Sequence, residues 1–250
     1  MGYWDWGFPR YVSSAEKKDK ATKSLKRLMK KNPNIKPVIL DSQTLAKTWW
    51  GKAWNKNLER YADYSNRIGR GRGYARHGAV LDLQINKGKI TALVQGTRRD
   101  PYVVAINIKS VKAKVWQKIK ADCAGKLDSL QDLLLGRFSQ RLMDIFMKEG
   151  EGLFPTPSEI KFACDCPDWA TMCKHVAAAL YGVGARLDQS PDLFFRLRGI
   201  EVKELITETV RDSAGKLLAK AKVRSSRIIK TKDITKVFNI ELEKKTHCLR

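Results

Sequence analysis

The chain has 250 residues, 43% of them apolar, enough for a hydrophobic core and too many for a wholly disordered tail. Its 49 Lys and Arg against 26 Asp and Glu give a formal net charge of +23, which opposes compaction by self-repulsion and attracts polyanions. Nucleic acid is the usual partner of such a balance, and a ribosome-like or halotolerant surface is the plainer account. No run reaches the roughly 18 continuous apolar residues of a membrane span, and no helix with a purely apolar face argues for a membrane surface.

Residues 1–15 are aromatic and turn-rich, with Tyr3, Trp4, Trp6, Phe8, Pro9 and Tyr11. They lack an apolar stretch behind a basic one, so a signal peptide is not expected. The Met-Gly start carries Trp6 where a myristoylation signal wants Ser or Thr. Residues 16–36 hold nine Lys or Arg and two acids, and the spacing of Ala21, Leu25 and Leu28 allows a short amphipathic helix. Its charged side could track phosphates or simply be solvated. Pro37–Leu40 reads as a short strand. Over 45–61 a helical period sets Leu45, Trp49, Ala53, Trp54, Leu58 and Tyr61 on one face, which places Trp49 and Trp54 in the core.

The run NRIGRGRGYARHG follows, with Arg67, Arg70, Arg72 and Arg76 interleaved with glycines and no acid among them. Arginine forks match phosphate geometry, glycine permits close backbone approach, and Tyr74 could stack on a base. A flexible surface loop accounts for the run equally well. It does not follow a strand and open a helix, so it is not a dinucleotide fingerprint.

Alternation over 79–85, a turn at Asn86–Lys89, the return ITALVQG and the run 101–108 predict a three-stranded antiparallel meander. Helices are expected at 111–122, 126–135 and 138–147. The apolar stripe of the first (Val111, Val115, Trp116, Ile119) includes Cys123, read as a buried thiol. Pro155 and Pro157 mark a boundary. A strand at 160–163 and a helix at 174–187 then flank a cysteine cluster. Beyond about 206 the chain turns polar: residues 211–236 hold nine Lys or Arg against two acids, with a closing helix expected near Ile234, Val237 and Phe238.

Chemistry concentrates in FACDCPDWATMCKHVAAALYGVGARL. Four of the chain's eight Cys and His, namely Cys164, Cys166, Cys173 and His175, fall in twelve residues. Five cysteines in all, three of them clustered, fit a metal site in a reducing compartment better than a disulfide framework, and the expected location is cytoplasmic. Three thiolates and an imidazole form a closed tetrahedral shell that suits one structural Zn2+. Positions i and i+2 on a strand share a face, so Cys164 and Cys166 can share an ion. In a helix they diverge by roughly 200°, so Cys173 should precede the helix and His175 lie in its first turn. Asp165 or Asp168 could accept backbone donors in the connecting turn.

The spacing Cys-x-Cys, gap, Cys-x-His resembles the SWIM zinc finger. The segment CDCPDWATMCKHVAAALYGVGARLD is similar to a prokaryotic family of SWIM zinc-finger proteins. So are 49–97, LFPTPSEIKFACDC and DLFFRLRGIEVKELI, together covering most of 37–206. The resemblance implies that Cys164, Cys166, Cys173 and His175 are the zinc ligands. It also implies a finger that binds nucleic acid, DNA or RNA, or protein, and similarity to proteins acting beside Swi/Snf-type helicases.

The expected architecture is α+β: an aromatic and basic segment (1–36), a meander packed with helices (37–155), a small zinc-stabilised SWIM module (156–206) and a basic tail (207–250). A filled Cys3His shell leaves no open position for substrate, and no GxxxxGK[ST], HExxH, GxSxG or zinc-deaminase pattern is present, so no catalytic residues are expected. His77 reads as structural or solvated, and His247-Cys248 supplies too few ligands for a second site. A nuclease or helicase would need clustered acids, and the acids here are scattered. The remaining alternative is a protein-interaction module whose charge only aids recruitment.

Overall fold

The computed structural model describes residues 12–40, 44–60, 65–124, 126, 130–205 and 207, all within one compact unit that runs to Thr209. The expected closing helix near 234–238 and the 207–250 tail lie outside these residues apart from Thr207, as do the aromatics of 3–11 and His247-Cys248.

Helix α1 (Ser14–Lys31) is started by a capping box in which Ser13 and Glu16 satisfy each other's backbone N–H. The segment after it runs extended, without forming a strand of its own. Val38 N–H donates to Val80 and Leu83 N–H donates to Lys36, so Pro37–Leu40 lies along the sheet edge. Helix α2 (Trp49–Glu59) begins at Thr48, whose hydroxyl accepts from Gly51 N–H. Helix α3 (Ser65–Arg76) leads into β1 (Val80–Asn86), β2 (Lys89–Val94) and β3 (Tyr102–Ile108). Gly88, at φ +68°, supplies the left-handed residue of the β1–β2 hairpin. Then come α4 (Ala113–Cys123), α5 (Leu130–Leu135), α6 (Gln140–Met147), a 3-10 turn at Pro157–Glu159, β4 (Ile160–Cys164), α7 (Lys174–Gln189) and α8 (Asp192–Arg198).

The strands form one antiparallel sheet in the order β1-β2-β3-β4. Residues 156–206, expected as a module of their own, therefore share the meander's sheet: β4 pairs with β3, Val104 opposite Cys164 and Ile108 opposite Ile160. Helix α7 packs against the sheet as well as against α2 and α3, and Gly182 abuts Val38, Val80 and Leu83. A helix with this much buried surface, from His175 through Leu187, is held by tertiary packing more than by propensity.

Trp54 is fully buried, its indole N–H donating to Leu180 of α7. Trp49 is only partly buried, and its neighbour Trp50 is, with Trp54, at 0% exposure among the described residues. The Trp50 N–H donates to Leu133, and its ring lies among Phe146, Phe154, Phe194 and Phe195. Truncating such a side chain to alanine costs about 3–5 kcal/mol. Asp188, near the end of α7, accepts from Lys47 N–H, Thr48 N–H and the Thr48 hydroxyl, tying α7 to the start of α2.

The arginine–glycine run is a helix and not a loop. Gly71 needs no special dihedral there. Its lack of a side chain lets α3 approach α7, because a Cβ at 71 would sit 2.5 Å from the Ala177 Cβ. Among the described helices, none is long and apolar enough to cross a membrane.

Candidate metal centre

Strand β4, the turn after it and the start of α7 bring four ligand residues together. Cys164 closes β4, and Cys166 lies two residues on, past the strand. Cys173 is the N-cap of α7, its sulfur accepting from Val176 N–H at 3.5 Å, and His175 occupies the first turn. The four ligand atoms all lie within 4.8 Å of one another and can hold one metal ion. His175 turns Nδ1 toward the sulfurs, 3.8 Å from Cys164 Sγ and 4.0 Å from Cys173 Sγ. Zinc bonds of about 2.3 Å to sulfur and 2.0 Å to nitrogen, at tetrahedral angles, require about 3.5 Å between those atoms, so a small contraction completes the shell.

The electrostatics suit a thiolate cluster. Cys173 is held down to about 3, chiefly by its hydrogen bond with Cys164, with His175 and Val176 N–H adding to it. The same bond, together with burial, pushes Cys164 up, and burial raises Cys166. Three crowded sulfurs share negative charge poorly until a cation neutralises it. Cys173 carries the charge because Cys164, His175 and the Val176 N–H all hydrogen-bond to its sulfur. Cys123, by contrast, is fully buried in α4, away from the cluster, and desolvation pushes its thiol up to about 12. It is an inert core residue, as its place in the apolar stripe implied.

A polar and aromatic shell fixes the ligands. Asp165 accepts from Val103 N–H at 2.9 Å and pairs with Arg98 at 2.5 Å, locking the Cys164–Cys166 turn to β3. Arg98 lies 4.1 Å over the Tyr102 ring, and Tyr102 stacks on His175 with centroids 4.1 Å apart. Tyr74 meets His175 edge-on. Gly96 permits this stack, since a Cβ there would come within 2.3 Å of Tyr102 and 2.9 Å of His175 Nε2. His175 Nε2 is buried without a hydrogen-bond partner, so stacking, not a second hydrogen bond, sets the ring's orientation. On the far side of the turn, Asp168 accepts from Ala170 N–H and pairs with Arg67 at 3.0 Å, both side chains largely buried. Burial pushes the Asp168 carboxyl up, but these donors outweigh it and hold it below the usual carboxylate range.

No family model and no solved structure matches the chain. Over 163 residues it is 37% identical to Rv2102, an uncharacterized protein of Mycobacterium tuberculosis. The match takes in 65% of this chain and 58% of that protein, so the chain spans less than two thirds of the relative's length.

The candidate phosphate contacts are scattered by the helix. Arg67 turns inward to Asp168. Arg72 donates to Tyr181 and pairs with Glu59, which also accepts from the Tyr181 hydroxyl at 2.6 Å, joining α2, α3 and α7. Arg70 and Arg76 are exposed, and Tyr74 is half-buried against His175. The sequence suggests that Asp165 or Asp168 accepts backbone donors in the connecting turn: Asp168 does so from Ala170, whereas Asp165 takes its donor from Val103 of β3. The arginine clamps on both acids and the roles of Tyr102 and Gly96 are encoded by no local spacing. Trp169, between the two ligand pairs, is 76% exposed.

Proposed function

We propose that this is a zinc protein of SWIM type that binds nucleic acid without catalysis. The zinc organises the junction of β4, α3 and α7, and the ordered basic surface supplies affinity. The reading rests above all on the charge of α1, which carries eight Lys or Arg against Glu16 and Asp19 in 18 residues. That helix lies beside the β2–β3 connection: Lys20 donates to the Thr97 carbonyl and Arg27 to that of Arg99. Cations from two elements thus face one side. A closed Cys3His set offers no position for a reacting water, which supports a structural role for the ion. The resemblance to SWIM fingers supports a role as an accessory to a Swi/Snf-type helicase. Gel-shift titrations with single-stranded and duplex DNA and RNA over a range of salt test the reading. Binding that weakens steeply with salt is expected, and no binding to any of them would overturn it.

A second reading has its own observation. Trp169, 76% exposed between the two ligand pairs, is the kind of anchor protein interfaces use. If Trp169→Ala abolishes capture of a partner protein while nucleic-acid affinity is unchanged, the finger is an interaction module.

A further inference from the structure

Beside the metal centre lies a cavity of about 250 Å³, mostly apolar. Tyr74 and His77 line it from α3 and the turn beyond, Gln95 and Gly96 from the end of β2, and Lys17 and Lys20 from α1. Gly96 is also the residue against which His175 Nε2 rests, so the metal ligand backs the cavity wall. Gln95 is 3% exposed. Its amide orientation is fixed, because Nε2 donates to the carbonyls of Gly96 and Arg98, and this leaves Oε1 without a partner. A buried acceptor without a donor is destabilising, and a ligand that brings an N–H would satisfy it. Lys20 also lines a second hollow, a trough along α1 with Lys23, Arg27 and Arg99 against the single acid Asp19. A mostly apolar pocket lined by Gln95 thus lies beside a cationic trough.

We propose that the cavity takes one unstacked base of a single-stranded nucleic acid, with its backbone phosphates in the Lys20–Arg99 trough. All the common bases carry an N–H or amino donor for Gln95, and an aromatic wall at Tyr74 and His77 suits a base face. The pocket is smaller than a drug-sized site, which matches a single ring system. Duplex is excluded because its bases are stacked and paired. This rests on the nucleic-acid reading above and specifies its strand state and its seat.

The test uses the full-length, zinc-loaded protein and fluorescence anisotropy. The probes are a ten-nucleotide single strand, the same backbone with abasic sites, the matching duplex and a mononucleotide. The single strand should bind about tenfold more tightly than the abasic strand, as one stacked base implies. Gln95→Met should reduce that preference and leave the salt dependence unchanged. Lys23→Ala and Arg99→Ala should each reduce the log–log salt slope by about 0.7 and keep the preference. Should Gln95→Met fail to fold, photo-crosslinking of the parent protein to a halogenated-uracil strand gives the same answer. Adducts should map to Tyr74 or His77, and adducts only elsewhere overturn the proposal. Equal binding of normal and abasic strands removes the base pocket while the nucleic-acid reading survives. Equal binding of duplex overturns the single-strand assignment, and a mononucleotide as tight as the strand makes the ligand a free nucleotide. If no probe binds, both readings fall.

Discussion

Gly71 of α3 faces Ala177 of α7 so closely that a Cβ at 71 would lie 2.5 Å from the alanine's Cβ and 3.1 Å from its carbonyl carbon. Both are fixed parts of packed helices, so neither can swing aside. Gly71→Ala should therefore push α3 off α7 and cost about 1–3 kcal/mol, as overpacking does. Ala177 sits two residues after His175, so the same change should weaken metal retention. A methyl group at Gly69 would meet nothing within 4 Å, and Gly69→Ala should stabilise by about 0.5–1 kcal/mol through helix propensity. Paired urea melts check the opposite signs. Equal effects would mean that α3 and α7 do not make this contact.

The contrast explains what could be read in advance. The three strands of the meander, the strand entering the cysteines, Cys173 ahead of its helix and His175 in the first turn all follow from periods of 2 and 3.6 within short windows. The helix over 65–76 does not, because three glycines and four arginines in succession have the propensity of a loop. It forms because burying Ile68, Gly71 and Ala75 against α7, far away in sequence, outweighs local preference. Trp50 differs for a similar reason: the helical period points to Trp49, and only the tertiary cluster of Phe146, Phe154, Phe194 and Phe195 settles which tryptophan goes inside. The clamps Arg67–Asp168 and Arg98–Asp165 join residues 101 and 67 positions apart, beyond any motif.

The four α3 arginines should divide into two pairs. Arg67→Ala leaves Asp168, 8% exposed, without its main cation, and should destabilise the fold by about 1–3 kcal/mol. Arg72→Ala removes a half-exposed pair with Glu59 and should cost under about 1 kcal/mol. Arg70→Ala should leave the melting temperature in place, and both Arg70→Ala and Arg76→Ala should flatten the salt dependence of nucleic-acid binding. A double Arg70/Arg76 variant with unchanged affinity and salt slope would show that α3 makes no contact with phosphate.

His77 should make the fold acid-sensitive. Burial lowers its pKa below the ordinary value, and the nearby cations Lys17, Arg76 and Lys18 lower it further. The unfolded chain, titrating near 6.5, then binds more protons than the folded one in the window below that value. The histidine's share of stability is complete above about pH 6.5 and is lost as pH falls through the lowered folded value. Urea melts from pH 5 to 8 on the parent and His77→Gln should show a rise with pH that is steeper in the parent. The metal site is common to both, so its own acid response cancels in the difference. Parallel curves would mean that the folded pKa is not lowered.

Metal removal should separate the cysteines by environment. Three thiolates are needed to hold the ion, so binding releases protons, and protection should weaken as pH falls. With zinc bound, Cys164, Cys166 and Cys173 should resist iodoacetamide. After chelation the cluster thiols should become reactive, Cys166 through its partial exposure and Cys173, though buried, through a thiol held down to about 3. Cys164 should lag, being pushed up by its hydrogen bond with Cys173. Cys123, raised to about 12 and fully buried, should stay unmodified until the whole unit unfolds. Because β4 belongs to the sheet, chelation should loosen the Val104–Cys164 end while the Ile108–Ile160 end holds. Hydrogen exchange should report the first opening and mass spectrometry of labelled peptides the order of thiols. Cys123 labelled alongside the cluster would mean that zinc supports the entire core, and equal labelling with and without chelator would mean that the four residues hold no ion.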